Sequence, residues 1–148
     1  MLSLKFDPRC FNLPSHPTVF VGRRQELDEI ADLIHDPNCR LLTLVGPGGS
    51  GKTRLSVQAA QENVEHFAQG VYFFSLAALN STDAIIAGLV EMFGIRPDIN
   101  EDPFDCLLDY LRSRQLLLIL DNFEHLLSGA HLVSQILSAA PETKILAT

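Results

Sequence analysis

The sequence predicts a three-layer α/β/α domain on a mainly parallel sheet, and three observations predict it. Short apolar runs alternate with stretches of helical period along most of the chain, the pattern of parallel strands joined by crossover helices. The run Gly70 to Leu76 is aromatic and apolar on both faces and Leu116 to Leu120 is five consecutive apolar residues, which suits strands covered on both faces. A strand-loop-helix unit, Arg40 to Thr53, carries the pattern G-x-x-x-x-G-K-[ST], and the Leu116 strand ends in Asp121. Both features fall at strand C-terminal ends, where sheets of this kind hold their ligands.

The elements follow in order. Residues Met1 to Thr18 carry Pro8, Pro14 and Pro17 without helical or alternating period, so an extended lead-in is expected over 1–18. A helix starts within Phe20 to Leu27, with Leu27, Ile30, Ala31 and Ile34 on one apolar stripe, and Asp36-Pro37-Asn38 ends it. The helix after the glycine-rich loop is expected from Lys52 to about His66, with Leu55, Ala59 and Ala60 facing inward. Gly70 to Leu76 is the second strand. Ser81 and its neighbours supply N-cap oxygens for a helix striped by Ile85, Ile86, Leu89, Val90 and Phe93. Asp102-Pro103 is another start signal, and Phe104, Leu107, Leu108 and Leu111 form the stripe of a helix reaching about Arg114. The strand ending in Asp121 comes next, then a helix from about Ala130 to Ala139 and a last apolar strand, Lys144 to Thr148.

Composition narrows the function. With 148 residues, 47% hydrophobic and 20% charged, the chain suits one globular domain with a sizeable core. The net charge of −7 argues against a general nucleic-acid surface, because no surplus of Lys and Arg exists to neutralise phosphates. Cys10, Cys39 and Cys106 are odd in number and far apart, as expected of free thiols in a reducing compartment. No apolar run is long enough to span a bilayer and no signal-peptide pattern opens the chain, so a soluble cytoplasmic protein without a membrane partner is expected.

The loop Gly46-Pro47-Gly48-Gly49-Ser50-Gly51-Lys52-Thr53 is a phosphate cradle by its chemistry. Bare backbone N–H groups must curl around a polyphosphate, and glycine reaches the required positive φ without placing a Cβ against the ligand. The following helix adds its positive N-terminus, Lys52 reaches the β- and γ-phosphates, and the Thr53 hydroxyl ligates magnesium. Asp121 is the expected second magnesium partner, against the plainer reading of a strand-end turn cap. Where many relatives of this fold carry an acid directly after the magnesium aspartate, this chain has Asn122. Glu124 is then the candidate to orient water, with an exposed carboxylate of no catalytic role as the equal alternative. His16, His35, His66 and His131 show no ligand spacing, and His125 reads as a loop residue, so no zinc site is expected. From spacing alone, Gly22 and Arg23 read as a helix-start glycine beside a solvated arginine.

These motifs resemble those of the STAND and NB-ARC signal-transduction ATPases, a branch of the AAA-like P-loop NTPases. Phe20-Val21-Gly22-Arg23-Arg24-Gln25-Glu26-Leu27 is similar to their hydrophobic-Gly-Arg-x-x-Glu motif, Gly46 to Thr53 to their Walker A loop, and Leu116 to Asp121 to their Walker B strand. Asp121-Asn122-Phe123-Glu124-His125, and Asn12-Leu13-Pro14 with Pro17-Thr18, resemble bacterial transcriptional regulators of the LuxR and antibiotic-regulatory type. The resemblance implies that Val21 and Arg23 lie near adenine and ribose. It also implies that bound ADP holds a closed state and that exchange for ATP opens the molecule to self-association. It implies a sheet in which the Lys144 to Thr148 strand lies between the two motif strands.

The family also carries an arginine in a Thr-Ser-Arg phrase after that strand, a fifth strand, a helical lid and a winged-helix domain. None is within these 148 residues. The chain is therefore expected to be a fragment of a longer regulator: a lead-in over 1–18 and a P-loop NTPase domain over 19–148, incomplete at its C-terminus. The expected nucleotide-binding set is Val21, Gly22, Arg23, Gly46, Pro47, Gly48, Gly49, Ser50, Gly51, Lys52, Thr53 and Arg54. Lys52, Asp121 and Glu124 are the catalytic candidates, with Thr53 and Asp121 as metal ligands for Mg-ATP or Mg-ADP. Protein partners and self-association are expected through the C-terminal domains, and DNA contact only through a domain outside this chain. The expected function is the ATP-binding part of a signal-transduction switch, with hydrolysis only in the full-length protein. The alternatives are a non-catalytic nucleotide-dependent interaction module and, less favoured, a free-standing P-loop kinase.

Overall fold

The structure, a computed structural model, describes residues 9–125 and 128–148. The first eight residues of the expected lead-in lie outside it, as do the Cys10 thiol and the His125 ring. Five strands form one sheet in the order β1-β3-β4-β5-β2, with every pairing parallel. In chain order these are β1 (Cys10–Phe11), β2 (Leu41–Thr43), β3 (Val71–Ser75), β4 (Leu117–Asp121) and β5 (Lys144–Ala147). The helices are α1 (Arg24–His35), α2 (Lys52–Glu62), α3 (Thr82–Met92), α4 (Pro103–Leu111) and α5 (Gly129–Ala139).

Strand β4 is the centre of the sheet, and all five of its residues are buried. Successive side chains alternate between faces. Leu118 and Leu120 pack with residues of α3, α4 and α5, whereas Leu117 and Ile119 pack with α1 and α2. The same split runs along β5, where Ile145 joins the first layer and Leu146 the second. The unbroken apolar run of β4 was thus a sound sign of two-sided burial, whereas in β3 Tyr72, Phe73 and Phe74 are half-buried and Ser75 is exposed. Strand β5 lies between β4 and β2, as the family resemblance implied.

The helix signals act where the sequence placed them. Ser81 accepts a hydrogen bond from the Ala84 N–H at 3.2 Å, and Asp102 accepts from the Phe104 and Asp105 N–H groups ahead of Pro103. At the opposite end of the sheet from the motif loops, two basic side chains satisfy carbonyls at or just beyond helix C-termini. Lys144 Nζ donates to Ile34 at 2.6 Å and Asp36 at 2.5 Å, and the Arg40 guanidinium donates to Thr143 and Ala140.

Two expectations are corrected. The lead-in is extended, but Cys10–Phe11 also pairs with Val71 and Tyr72, so it supplies an edge strand that its prolines had obscured. The helix after the loop stops at Glu62 rather than His66. The Asn63 side chain donates to the Ala59 carbonyl at 2.8 Å, and a 3-10 turn, Val64–His66, follows. Among the described residues no helix is long and apolar enough to cross a membrane. Replacing Ile119, fully buried at the sheet centre, by Ala should cost about 2–5 kcal/mol of stability, measured by urea unfolding.

Candidate functional site

The loop between β2 and α2 is shaped by backbone conformations that side chains resist. Gly49 and Gly51 have φ of 77° and 82°, left-handed values that glycine adopts without a Cβ penalty. A Cβ on Gly46 would stand 3.0 Å from Ser50 Oγ, so the loop closes over bare backbone. Gly51 is the N-cap of α2 and offers no side-chain acceptor to the first N–H groups of the helix. Those donors are available to an anion, and the helix dipole favours one there. Pro47, Gly48 and Gly49 are exposed, while Lys52 and Thr53 are half-buried at the base of the loop.

Lys52 folds back along the loop. Its Nζ donates to the Gly46 carbonyl at 2.7 Å and the Pro47 carbonyl at 3.2 Å, which holds the ammonium against the loop's first turn. Thr53 Oγ1 donates to Asp121 Oδ1 at 2.6 Å, joining the start of α2 to the end of β4 across 68 residues of sequence. Asp121 is only 6% exposed. A buried carboxylate needs donors, and the second comes from Thr148, whose hydroxyl lies 2.5 Å from the same Oδ1. Both hydroxyls address Oδ1, so neither uses Oδ2.

Thr148 is the member of this cluster that sequence reading missed. The available signal was a hydroxyl residue closing an apolar strand next to the Asp121 strand. Its backbone carbonyl also accepts from the Phe123 N–H at 2.8 Å, and its Oγ1 lies 3.4 Å from the Asn122 N–H. Asn122, where an acid was looked for, has φ of 59°, a conformation that Asn tolerates better than most residues. Its place after β4 is therefore a turn position.

The Thr53 and Asp121 oxygens fit a magnesium ion by donor type: both are hard oxygens, and they approach each other at the end of the central strand. Among the described residues no group of three or more His, Cys, Asp or Glu could form an all-protein metal cage.

The segment before α1 reaches the loop. Arg23 Nη1 donates to the Ser50 carbonyl at 2.8 Å and its Nε to Glu26 at 3.2 Å. The Glu26 carboxyl is held below its usual range, first by its own backbone N–H and then by Arg23. Gly22 and Arg23 are both left-handed, with φ of 80° and 56°. Val21 is 83% exposed. Arg54, on the first turn of α2, turns to the segment rather than to the loop, donating to the Thr18 and Val19 carbonyls. Glu124 lies exposed in a 3-10 turn, Phe123–His125, and makes no described hydrogen bond to the loop. Hydrogen bonds thus join Arg23 to the loop, Lys52 to the loop and Thr53 to Asp121, and among the described residues none joins Glu124 to them.

Comparison with known proteins bears on the family and the fold. Residues 35–144 match a family model described as an AAA domain. An uncharacterized protein of Mycobacterium tuberculosis (strain ATCC 25618 / H37Rv) is 33% identical over 134 residues, which are 90% of this chain and 34% of that protein. A protein of the same strain, provisionally named an HTH-type transcriptional regulator, is 38% identical over 110 residues, 74% of this chain and 12% of its own length. The chain thus spans about a third of the first relative and a far smaller share of the second. In fold it is similar to the ORC2 protein of Aeropyrum pernix, solved as ADPNP-ADP complexes. The TM-score is 0.66 over 96% of this chain and 44% of that one, and the 18% identity speaks to fold alone. The family match over most of the chain shows that this protein belongs to the AAA domain family, with its nucleotide-binding, ATPase-like P-loop fold.

Proposed function

We propose that this chain is the ATP/ADP-binding part of a signal-transduction ATPase switch of the STAND and NB-ARC type, within a longer transcriptional regulator. The observation that carries the nucleotide site is the contact of Thr53 with the buried Asp121 directly below the loop. In this reading the loop N–H groups of Gly46 to Thr53 hold the phosphates. Lys52 leaves the Gly46 and Pro47 carbonyls for the β- and γ-phosphate oxygens. Thr53 and Asp121 hold magnesium, which when bound neutralises charge across the phosphates. Val21, Gly22 and Arg23 form the adenine and ribose side, supported by the Arg23 contact with Ser50. The regulator assignment is supported by the motif resemblance and by the 38% identity to the HTH-type protein. DNA binding, self-association and signal input are assigned to the remainder of the longer protein, with a cytoplasmic location.

A specific observation favours the second reading, a nucleotide-dependent interaction module without turnover. Asn122 occupies the turn after Asp121, and the exposed Glu124 makes no described hydrogen bond to the loop. The kinase reading has less support, because Lys144 lies at the opposite end of β5 from Asp121 and serves the end of α1.

Lys52→Ala should weaken both ATP and ADP binding at least about tenfold by titration calorimetry, as expected for losing a charge-assisted phosphate contact. Binding retained at the unsubstituted level would sink the nucleotide assignment. Glu124→Gln separates the two readings. If Glu124 orients water, ATP turnover by the longer protein falls by about two orders of magnitude or more with binding intact. Unchanged turnover removes Glu124 from the catalytic set.

A further inference from the structure

Arg54 is the residue after Thr53, and its position alone suggests a phosphate contact. Its guanidinium is engaged elsewhere. Nη2 donates to the Thr18 carbonyl at 2.6 Å and the Val19 carbonyl at 2.9 Å, while Cζ stands 5.7 Å from the centre of the Phe20 ring. Phe20 is half-buried and packs against the core between α1, α2 and the sheet. Ring, guanidinium and two carbonyls therefore fix this one point of an otherwise irregular segment to the first turn of α2.

Fixing Phe20 decides where its neighbours go. Exposure alternates along the segment: Val19 is 84% exposed, Phe20 half-buried, and Val21 83% exposed. Two apolar side chains are thus held outward on either side of a pinned aromatic ring. Two residues further on, Arg23 donates to the Ser50 carbonyl of the phosphate loop. The segment is tied to the loop-helix unit at both ends, by Arg54 behind Val19 and by Arg23 ahead of Val21. An exposed apolar pair beside a polyphosphate cradle suits the flat, weakly polar ring of a nucleotide base, which gains by covering that surface.

We infer that Arg54 is a positioning residue. It does not touch the phosphates but clamps Thr18 to Phe20 so that Val19 and Val21 form the step on which the nucleotide base rests. The inference rests on the nucleotide reading above and deepens it by giving base recognition a determinant on the phosphate-loop helix itself. The geometry asks for arginine specifically. One nitrogen, Nη2, bonds both carbonyls while the flat guanidinium lies over the ring, and the compact, strongly hydrated ammonium of lysine has no such plane to stack.

The test compares a ligand with a base to one without. With magnesium present, ADP and inorganic tripolyphosphate are titrated against the full chain and its Arg54→Ala variant. The expected result is about tenfold weaker ADP binding, from lost preorganisation of the base step, with tripolyphosphate affinity unchanged within about twofold. Arg54→Lys, which keeps the charge, should show the same ADP-selective loss. Parallel loss of both ligands in Arg54→Ala, full ADP affinity in Arg54→Lys, or no change in either ligand would each overturn the assignment. If Arg54→Ala does not fold by circular dichroism, Phe20→Leu keeps the apolar contact and removes the ring. Selective ADP loss in that variant supports the clamp, and unchanged ADP affinity overturns it. An unsubstituted chain that binds neither ligand contradicts the nucleotide reading as well, whereas binding of both with a parallel Arg54→Ala loss contradicts the Arg54 assignment alone.

Discussion

The carboxylate of Asp121 is buried at the end of the central strand and accepts hydrogen bonds from Thr53 on one side and Thr148 on the other. Removing a charge from water is costly unless donors replace the water. Here the donors come from the first turn of α2 and from the residue after β5. Three separate parts of the chain must therefore arrive together for this one group to be satisfied, and among the described residues no Lys or Arg forms an ion pair with it. A buried acid held by hydroxyls rather than by cations suits a later divalent ion, because its charge has not already been neutralised.

The rest of the site follows from where that carboxylate sits. Parallel pairing of β4 with β5, and of β5 with β2, brings the ends of three strands to one edge, so the loop after β2 closes above Asp121. The left-handed Gly51 lets α2 begin at Lys52 without a side-chain cap, which leaves the helix N-terminus directed at the loop. On the far side, Gly22 and Arg23 turn the chain into α1 with two successive left-handed residues, and the Arg23 side chain secures that turn to Ser50. Hydrogen bonds from Arg23 to Ser50 and from Thr53 to Asp121 thus join the segment before α1, the loop and the end of β4, beside the core packing of Phe20.

Much of this was legible in the sequence, for identifiable reasons. Strand β4 could be read because the five apolar residues Leu116 to Leu120 in a row have few other stable homes than a sheet covered on both faces. The starts of α3 and α4 could be read because Ser81 and Asp102 act locally, through their own neighbours' N–H groups. The loop could be read because its glycines answer a backbone demand that is local too. What escaped was non-local. Strand β1 exists only by pairing with β3, some sixty residues away, and no period in its own residues announces it. Thr148 bonds Asp121, 27 residues distant, and Arg54 bonds carbonyls 35 and 36 residues upstream, which carry no side-chain signature. Contacts made to backbone carbonyls are invisible to a reading of side-chain patterns.

The measurement that bears most directly on this account is the magnesium dependence of ATP affinity, with magnesium and with chelator, in the unsubstituted chain and in Asp121→Asn. The variant keeps the shape of the side chain and its carbonyl acceptor for Thr53 and Thr148 but removes the charge. The account predicts that magnesium tightens ATP binding to the unsubstituted chain by about tenfold or more, and that Asp121→Asn loses most of that gain while retaining metal-free binding. Equal ATP affinity with and without magnesium, or a full magnesium effect in Asp121→Asn, would contradict it.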